Sequence, residues 1–192
     1  MMRPVLPLIL PRLAVPAAAV LAAMLGACGT PAEPTHMSLG AAEQLQLRSW
    51  IPDGLKDQIR LGQVGGGAET WRYWGSKISD ESLRIAIDES LRGVGLAAVM
   101  PEGGRYELQA QLLKLQQPKV AADVTVALYI RYRLVERASG KLVYERQMRL
   151  VHTTPLDAAW LDMNERLRLA NEAALHQSLN ALVRELIELR LG

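Results

Sequence analysis

The stretch Val124-Thr-Val-Ala-Leu-Tyr-Ile-Arg-Tyr-Arg-Leu134 decides the fold. Apolar and polar side chains alternate along it with a period of two, which predicts a β-strand with one buried face. The buried face comprises Val124, Val126, Leu128, Ile130, Tyr132 and Leu134. The turn sequence from Ala138 to Lys141 follows, and Leu142 to His152 is predicted to return as the antiparallel partner.

Two further strands precede this hairpin. Tyr106 to Leu112 alternates in the same way, and the apolar phase slips at Leu113, which predicts a bulge or a strong twist there. Gln58 to Val64 predicts a short strand that ends at the glycine run 65–67. The sheet is therefore expected to contain about four strands.

Two amphipathic helices are predicted beside the sheet. Ser79 is a suitable N-cap, Gly95 marks the exit, and Leu83, Ile87, Leu91 and Val94 share one face between them. A long helix is expected from about Asn164 to Leu191, with a buried stripe of Leu175, Leu179, Leu182, Leu186 and Leu189. The order βαβββα predicts an α+β fold, in which an antiparallel-rich sheet carries both helices on one face.

The N-terminal segment has the organisation of an export signal. Arg3 and Arg12 supply positive charge, residues 13–23 form a Leu/Ala/Val run, and Leu25, Gly26 and Ala27 lead directly to Cys28, the single cysteine. A transmembrane helix is the alternative, but it needs about 20 uninterrupted apolar residues, and prolines interrupt this segment. The sequence Leu25-Gly26-Ala27-Cys28 resembles the lipobox of bacterial lipoproteins.

Together with the weak pattern of residues 29–49 and the length of the remaining chain, this resemblance predicts three parts. Residues 1–27 are a signal peptide, residues 28–49 are a lipidated N-terminus and tether, and residues 50–192 are one globular domain. Within the tether, Leu39 to Leu47 is compatible with a short helix or with a strand. The resemblance also implies a covalent lipid such as palmitate on Cys28. It implies an outer-membrane anchor facing the periplasm, because Gly29 replaces the aspartate associated with inner-membrane retention.

Composition and motifs indicate no catalytic function. Removal of residues 1–27 leaves 20 basic and 20 acidic side chains, so a general attraction to nucleic acid is not expected. The glycine run 65–67 lacks the spacing of a dinucleotide fingerprint, and no serine lies in a G-x-S-x-G elbow. His36, His152 and His176 are far apart in sequence and form no zinc motif. We expect a protein that is not an enzyme and has neither a small-molecule cofactor nor a metal.

An aromatic cluster is the first candidate binding site. Trp71, Arg72, Tyr73 and Trp74 follow the glycine run, and Trp, Tyr and Arg are the residue types that dominate interface hot spots. Tryptophan also favours the boundary of a bilayer. The alternative is that these rings fill the ends of a core that lacks phenylalanine altogether.

The outward side chains of the hairpin form the second candidate. Arg131 and Arg133 project from one strand, Arg149 lies on the returning strand, and Arg137 lies near the turn. Guanidinium groups in this arrangement can bind phosphate or carboxylate with two hydrogen bonds each. The alternative is that they pair with Glu136 or Glu145 across the strands.

The lipobox, a proline-containing tether and the βαβββα order together resemble small accessory lipoproteins of the Gram-negative envelope. These include the auxiliary lipoproteins of ABC-type lipid transport systems and the lipoprotein that plugs the lipopolysaccharide-assembly barrel. The resemblance implies a partner complex in the envelope and contact with membrane lipid through the acyl anchor. A lipid or lipopolysaccharide carrier and a regulator of a cell-wall enzyme are the alternatives, and a carrier requires an apolar cavity of more than a few hundred Å³.

Overall fold

Four strands form one mixed sheet. The computed structural model describes residues 29–71, 75–100 and 102–189. The strands are β1 (Ile59–Gly65), β2 (Tyr106–Gln116), β3 (Val124–Glu136) and β4 (Leu142–Thr154), and they lie in the order β1-β2-β3-β4. β2, β3 and β4 pair antiparallel, whereas β1 pairs with β2 in parallel. The sequence prediction of an antiparallel-rich, four-stranded α+β fold is confirmed.

The predicted hairpin and bulge are both present. Leu128 of β3 pairs with Leu150 of β4, and Ile130 pairs with Met148, so these side chains share the inward face. The register between β2 and β3 shifts between Leu112 and Lys114. The bulge at Leu113 turns Lys114 outward and Leu115 inward, which is the phase slip seen in the sequence.

A helix provides the parallel crossover from β1 to β2. This helix spans Asp80–Val94, the Ser79 hydroxyl oxygen accepts a hydrogen bond from the Ser82 amide at 3.1 Å, and Gly95 ends it with a left-handed φ of 81°. The C-terminal helix spans Met163–Glu188 and begins at the N-cap Asp162, whose carboxylate accepts the Glu165 amide at 3.0 Å. It ends before Leu191, the expected end, and residues 190–192 lie outside the described part of the chain.

The prediction that residues 28–49 form a lipidated N-terminus and tether is wrong for residues 32–48, because this segment packs on the domain. It forms the helices α1 (Pro34–Met37) and α2 (Ala41–Arg48), so the crossover helix is α3 and the C-terminal helix is α4. Ala32, Met37, Leu39 and Leu47 are all at most 3% exposed and belong to the main core. Leu47 is the one buried residue of α2. A single buried position per helix gives no apolar period, so the sequence pattern did not reveal this packing.

One aliphatic core joins the helices to the inward face of the sheet. Tyr106 and Tyr132 are the largest fully buried side chains, and the rest of the core is mainly leucine, isoleucine and valine from the strands and from α2, α3 and α4, with Met37 from α1. A smaller cluster of Val124, Val126, Leu167 and Ala170 extends this core toward the start of α4. In the described residues, no helix has both the length and the apolar character needed to cross a bilayer.

Candidate functional site

The face of the sheet turned away from the helices is polar. We call the outward side chains of β2, β3 and β4 the outer sheet face. Most of them are exposed or half-buried, including Gln109, Gln111, Thr125 and Gln147. The charged members are Lys114, Arg131, Arg133 and Arg149 together with Glu107 and Glu145, so basic groups are in excess.

Arg131 and Arg133 lie at consecutive outward positions of β3 and share one carboxylate. Glu145 Oε1 is 3.9 Å from Arg131 Nε and 3.6 Å from Arg133 Nε, and both guanidinium side chains are close to half exposed. One carboxylate cannot neutralise two guanidinium groups, and exposed pairs of this kind contribute only about 0–1 kcal/mol to stability. The arrangement therefore leaves positive charge accessible to an anionic group.

Arg149 has a fixed orientation on the neighbouring strand. Its Nε donates a hydrogen bond to Tyr129 Oη at 3.0 Å, and its guanidinium carbon lies 5.8 Å from the centre of the Tyr129 ring. Hydrogen bonding and cation–π attraction together hold the planar group over the ring. The structure thus brings all three predicted arginines to one face, although Arg149 has a local partner of its own.

Arg137 has a structural role in contrast. Its Nη1 lies 2.9 Å from each of the carbonyl oxygens of Glu102, Gly103 and Gly104. These carbonyls belong to the loop before β2, so Arg137 joins this loop to the hairpin turn. It is not available to a ligand in the way that Arg131 and Arg133 are.

A surface cleft of about 520 Å³ lies beside the arginine pair. It is lined by Gln109, Gln111, Arg131, Arg133, Asp80 and the backbone around Gly66. Amides and guanidinium groups suit a polar or anionic group, not an acyl chain. Among the other clefts in the described residues, one with aliphatic walls is formed by Ile78, Leu112 and Leu115, and its volume of about 250 Å³ is below the usual range for lipid-sized ligands.

Titratable groups show no activated base or metal site in the described residues. Burial raises the pKa of Tyr132, and burial together with the hydrogen bond to Glu185 raises the pKa of Tyr144. His176 lies 2.7 Å from Glu43, and His152 Nδ1 accepts a hydrogen bond from Gln177 Nε2 at 3.2 Å. No group of three or more His, Cys, Asp or Glu side chains between residues 29 and 189, within the described ranges, is placed to hold a metal ion.

Of the predicted aromatic cluster, the structure describes Trp71, which lies next to Gly29, where the described chain begins. Trp71 is 68% exposed, whereas Arg72, Tyr73 and Trp74 fall outside the described residues. Gly29 packs directly on the Trp71 carbonyl oxygen and near that of Gly75, so closely that a Cβ on Gly29 would overlap them. Because most of its side chain is exposed, Trp71 is not a core residue. Cys28 and the lipobox residues Leu25, Gly26 and Ala27 also lie outside the described residues.

Three loops meet at this end of the sheet. Within the described residues they comprise 66–71 with 75–79, 117–123 and 155–162, and we call the surface that these residues form the loop end. Gly75 donates to Asn164 Oδ1 at 2.9 Å, and Gln117 Nε2 donates to the Ser76 carbonyl at 2.8 Å. Val120 and Leu161 are exposed at the loop end, and sequence reasoning did not single them out because exposure in a loop leaves no periodic signal.

Comparison with known proteins supports the fold. No family model matches the chain, and no curated protein matches its sequence. A Xanthomonas campestris protein of the DUF330 family has a TM-score of 0.52 at 12% identity over 69% of this chain and 86% of its own. A predicted lipoprotein from Caulobacter crescentus has a TM-score of 0.49 at 15% identity over 74% and 93%, and a minor lipoprotein from Acinetobacter baumannii has 0.46 at 12% identity over 68% and 88%. The first of these similarities shows a shared fold.

Proposed function

We propose that the protein is a lipid-anchored, non-enzymatic accessory lipoprotein of the bacterial envelope that docks on a larger transport or assembly complex through its outer sheet face. The sequence Leu25-Gly26-Ala27-Cys28 supports the anchor. The arginine pair that shares Glu145 is the observation on which docking depends, since it leaves charge unsatisfied on an uncovered sheet.

The N-terminal segment supports a domain held close to its anchor. Ala32 is 2% exposed, so only Gly29 to Pro31 separate Cys28 from the core. Three extended residues span about 10 Å. A domain on such a short connection can move little relative to the lipid, which suits a component of a membrane complex better than a shuttle between membranes.

The partner surface is expected to be acidic. Guanidinium groups bind carboxylates with paired hydrogen bonds, and complementary charge at an interface raises specificity and association rate. Across the outer sheet face the amides of Gln109 and Gln111 flank the arginines and offer further donors and acceptors. A lipid carrier has less support, because the cleft with aliphatic walls is small.

The test is a mild crosslink of the mature, membrane-anchored protein followed by detergent pull-down and mass spectrometry of proteins and lipids. The variant R131E/R133E should lose most partner recovery while its thermal unfolding stays unchanged, because both side chains are surface groups. The matched control K56E/K141E changes charge equally at exposed positions away from the outer sheet face and should recover the partner normally.

Equal recovery by R131E/R133E and the control would contradict docking through this face. Recovery of lipid in stoichiometric amount without any protein would contradict the accessory role and support a carrier. A regulator of a cell-wall enzyme would be revealed by the identity of the recovered protein.

A further inference from the structure

The topology places three loops and the start of the domain at one end of the sheet. β1 and β2 both run toward this end, since Gly65 pairs with Gln111 in the parallel register, and β2 continues to Gln116. β3 begins and β4 ends there, since Val124 pairs with Thr154. The loop after each of β1, β2 and β4 therefore belongs to the loop end, together with the chain at Gly29.

Large apolar side chains project from these loops into solvent. Val120 is 86% exposed, Trp160 is 69% exposed and Leu161 is 88% exposed, and Trp71 is exposed to a similar degree. Small residues flank two of them in the sequence. Ala121 and Ala122 follow Val120, whereas Ala158 and Ala159 precede Trp160. Single exposed apolar residues are common, but several on adjacent loops indicate a contact surface.

The loops are held together rather than loose. Arg166 is 5% exposed, and its guanidinium group donates to the Ala159 carbonyl at 2.6 Å and to the Ala121 carbonyl at 3.5 Å. The Leu156 amide donates to Asp123 Oδ1 at 3.0 Å. These bonds join the loop that carries Val120 to the loop that carries Trp160, so the apolar tips form one surface.

The backbone conformation of Leu161 is a second indication that the loop end has a function beyond folding. Its φ is +68°, a left-handed conformation that is energetically unfavourable for a bulky L-amino acid. Such strain persists only where the surrounding structure enforces it, and it is often found at functional sites. A glycine or asparagine would relieve it, and the exposed side chain adds nothing to the core. The strained position projects leucine outward next to Trp160.

We infer that the loop end is a bilayer-contact surface, in which Val120, Trp160, Leu161 and Trp71 enter the headgroup layer of the membrane that holds the Cys28 lipid. This inference rests on the proposed anchoring at Cys28. Cys28 is bonded directly to Gly29, which packs on the Trp71 backbone, so an acyl chain would leave the protein beside these side chains. Tryptophan prefers the membrane interface, and leucine and valine prefer the acyl boundary.

The contact would also strengthen the anchor. A diacylglycerol on Cys28 supplies two acyl chains, and apolar side chains that enter the interface add further buried apolar area to them. Lys119 precedes Val120, and the exposed Asp123, Asp157 and Asp162 lie in the same two loops, so these loops carry no excess of positive charge and apolar contact, not charge, is expected to dominate. The loop end would then fix the orientation of the domain as well as its distance from the bilayer.

The opposite end of the sheet supplies a matched control. Val99 is 78% exposed and Met100 is 71% exposed, and they follow Ala97, which bridges to Ile59 at the start of β1. β2 contains 11 residues, so the two ends of the sheet are about 30 Å apart. Exposure at the two ends is similar, but only the loop end adjoins Gly29.

The experiment uses the full-length lipidated protein carrying L161C, V120C or the control M100C, each labelled with an environment-sensitive fluorophore after purification. The protein is reconstituted into vesicles of phosphatidylethanolamine and phosphatidylglycerol, with or without nitroxide-labelled headgroups. At positions 161 and 120 the emission should shift to the blue and the nitroxide should quench it severalfold more than at position 100. Detergent-phase partitioning of each sample verifies the lipid anchor.

Each outcome decides one question. An anchored protein whose labels at positions 161 and 120 behave like that at position 100 would overturn the bilayer contact and leave the proposed function intact. A protein without lipid would overturn the proposed anchoring itself. A blue shift without nitroxide quenching, accompanied by crosslinking between two L161C chains, would assign the loop end to contact between copies and overturn the bilayer contact.

Discussion

At the scale of single residues, Arg168 joins the N-terminal segment to α4. Its Nη1 donates to both oxygens of Glu172, at 2.7 and 2.8 Å, and its Nε donates to Glu165 Oε2 at 2.8 Å. Glu172 Oε1 also accepts the Glu33 amide at 2.8 Å. Removal of one member from a buried charge network leaves the others uncompensated, which is more costly than a lost surface pair.

This network predicts a pH-dependent stability. The hydrogen bond from Arg168 lowers the pKa of Glu165 below its ordinary value, despite partial burial. A carboxyl group whose pKa is lower in the folded than in the unfolded protein stabilises the folded state. This stabilisation is complete at a pH above the unfolded-state pKa of about 4.3, and it is lost as the pH falls through the folded-state pKa. Glu165→Gln should therefore reduce the free energy of unfolding by about 1 kcal/mol at pH 7 and less at pH 3. Denaturant titrations at both pH values measure this.

Asp53 provides the control for that measurement. Its pKa is also lowered, by the hydrogen bond from Lys56, but its side chain is 95% exposed. Water and salt screen such a pair, so Asp53→Asn should change stability less than Glu165→Gln at pH 7. If Glu165→Gln lowers the free energy of unfolding by the same amount at pH 7 and at pH 3, this would contradict the role given to the carboxylate charge.

At the scale of elements, α2 is the part of the fold that departs from sequence expectation. Leu47 is 1% exposed, whereas Leu45 on the same helix is 72% exposed. Leu47→Ala should lower the free energy of unfolding by about 2–5 kcal/mol, because it removes buried methylenes and leaves a cavity. Leu45→Ala should stay within about 0.5 kcal/mol of the parent. Urea denaturation of both variants, followed by circular dichroism, measures the difference.

Equal effects of the two substitutions would mean that residues 32–48 do not belong to the cooperative domain. The structure argues against that outcome through polar contacts as well as packing. Glu43 Oε2 lies 2.7 Å from His176 Nε2, and Glu43 Oε1 accepts a hydrogen bond from Asn180 at 2.9 Å. α2 is thus fixed to α4 by partners more than 130 residues away in the sequence.

Local patterns explain which elements the sequence could predict. Some features depend on only a few consecutive residues, so the sequence predicts them. These are the alternation in β3, the phase slip at Leu113 and the Ser79 cap. Arg131 and Arg133 were placed on one face by the same alternation. Arg137 was grouped with these candidate binding arginines, because its carbonyl partners lie in another loop and leave no signal in the local sequence. At the loop end the sequence singled out Trp71 but not Val120 or Leu161, because these residues come together only through the topology of the sheet.

At the scale of the whole molecule, the sheet separates two faces and two ends. The helices cover one face, and the outer sheet face is open. If the loop end contacts the bilayer, the strands run along the membrane normal and the outer sheet face points sideways, parallel to the membrane. β4 pairs only with β3 among the described strands, so an unpaired edge lies next to that face. A partner in the same membrane could contact both.

The anchor and the docking face should therefore be separable by mutation. Cys28→Ala removes the only thiol that can accept a diacylglycerol, so metabolic labelling with palmitate should be lost completely. R131E/R133E should retain the label and still sediment with the same membrane as the unmodified protein, because the outer sheet face lies on the side of the domain and not at the end next to Gly29. Palmitate labelling, followed by density-gradient separation of the two membranes, measures both properties. Retention of the label by Cys28→Ala would refute the lipobox interpretation. Loss of membrane association by R131E/R133E would show that the arginines hold the protein at the membrane, and that the anchor and the docking face are one site.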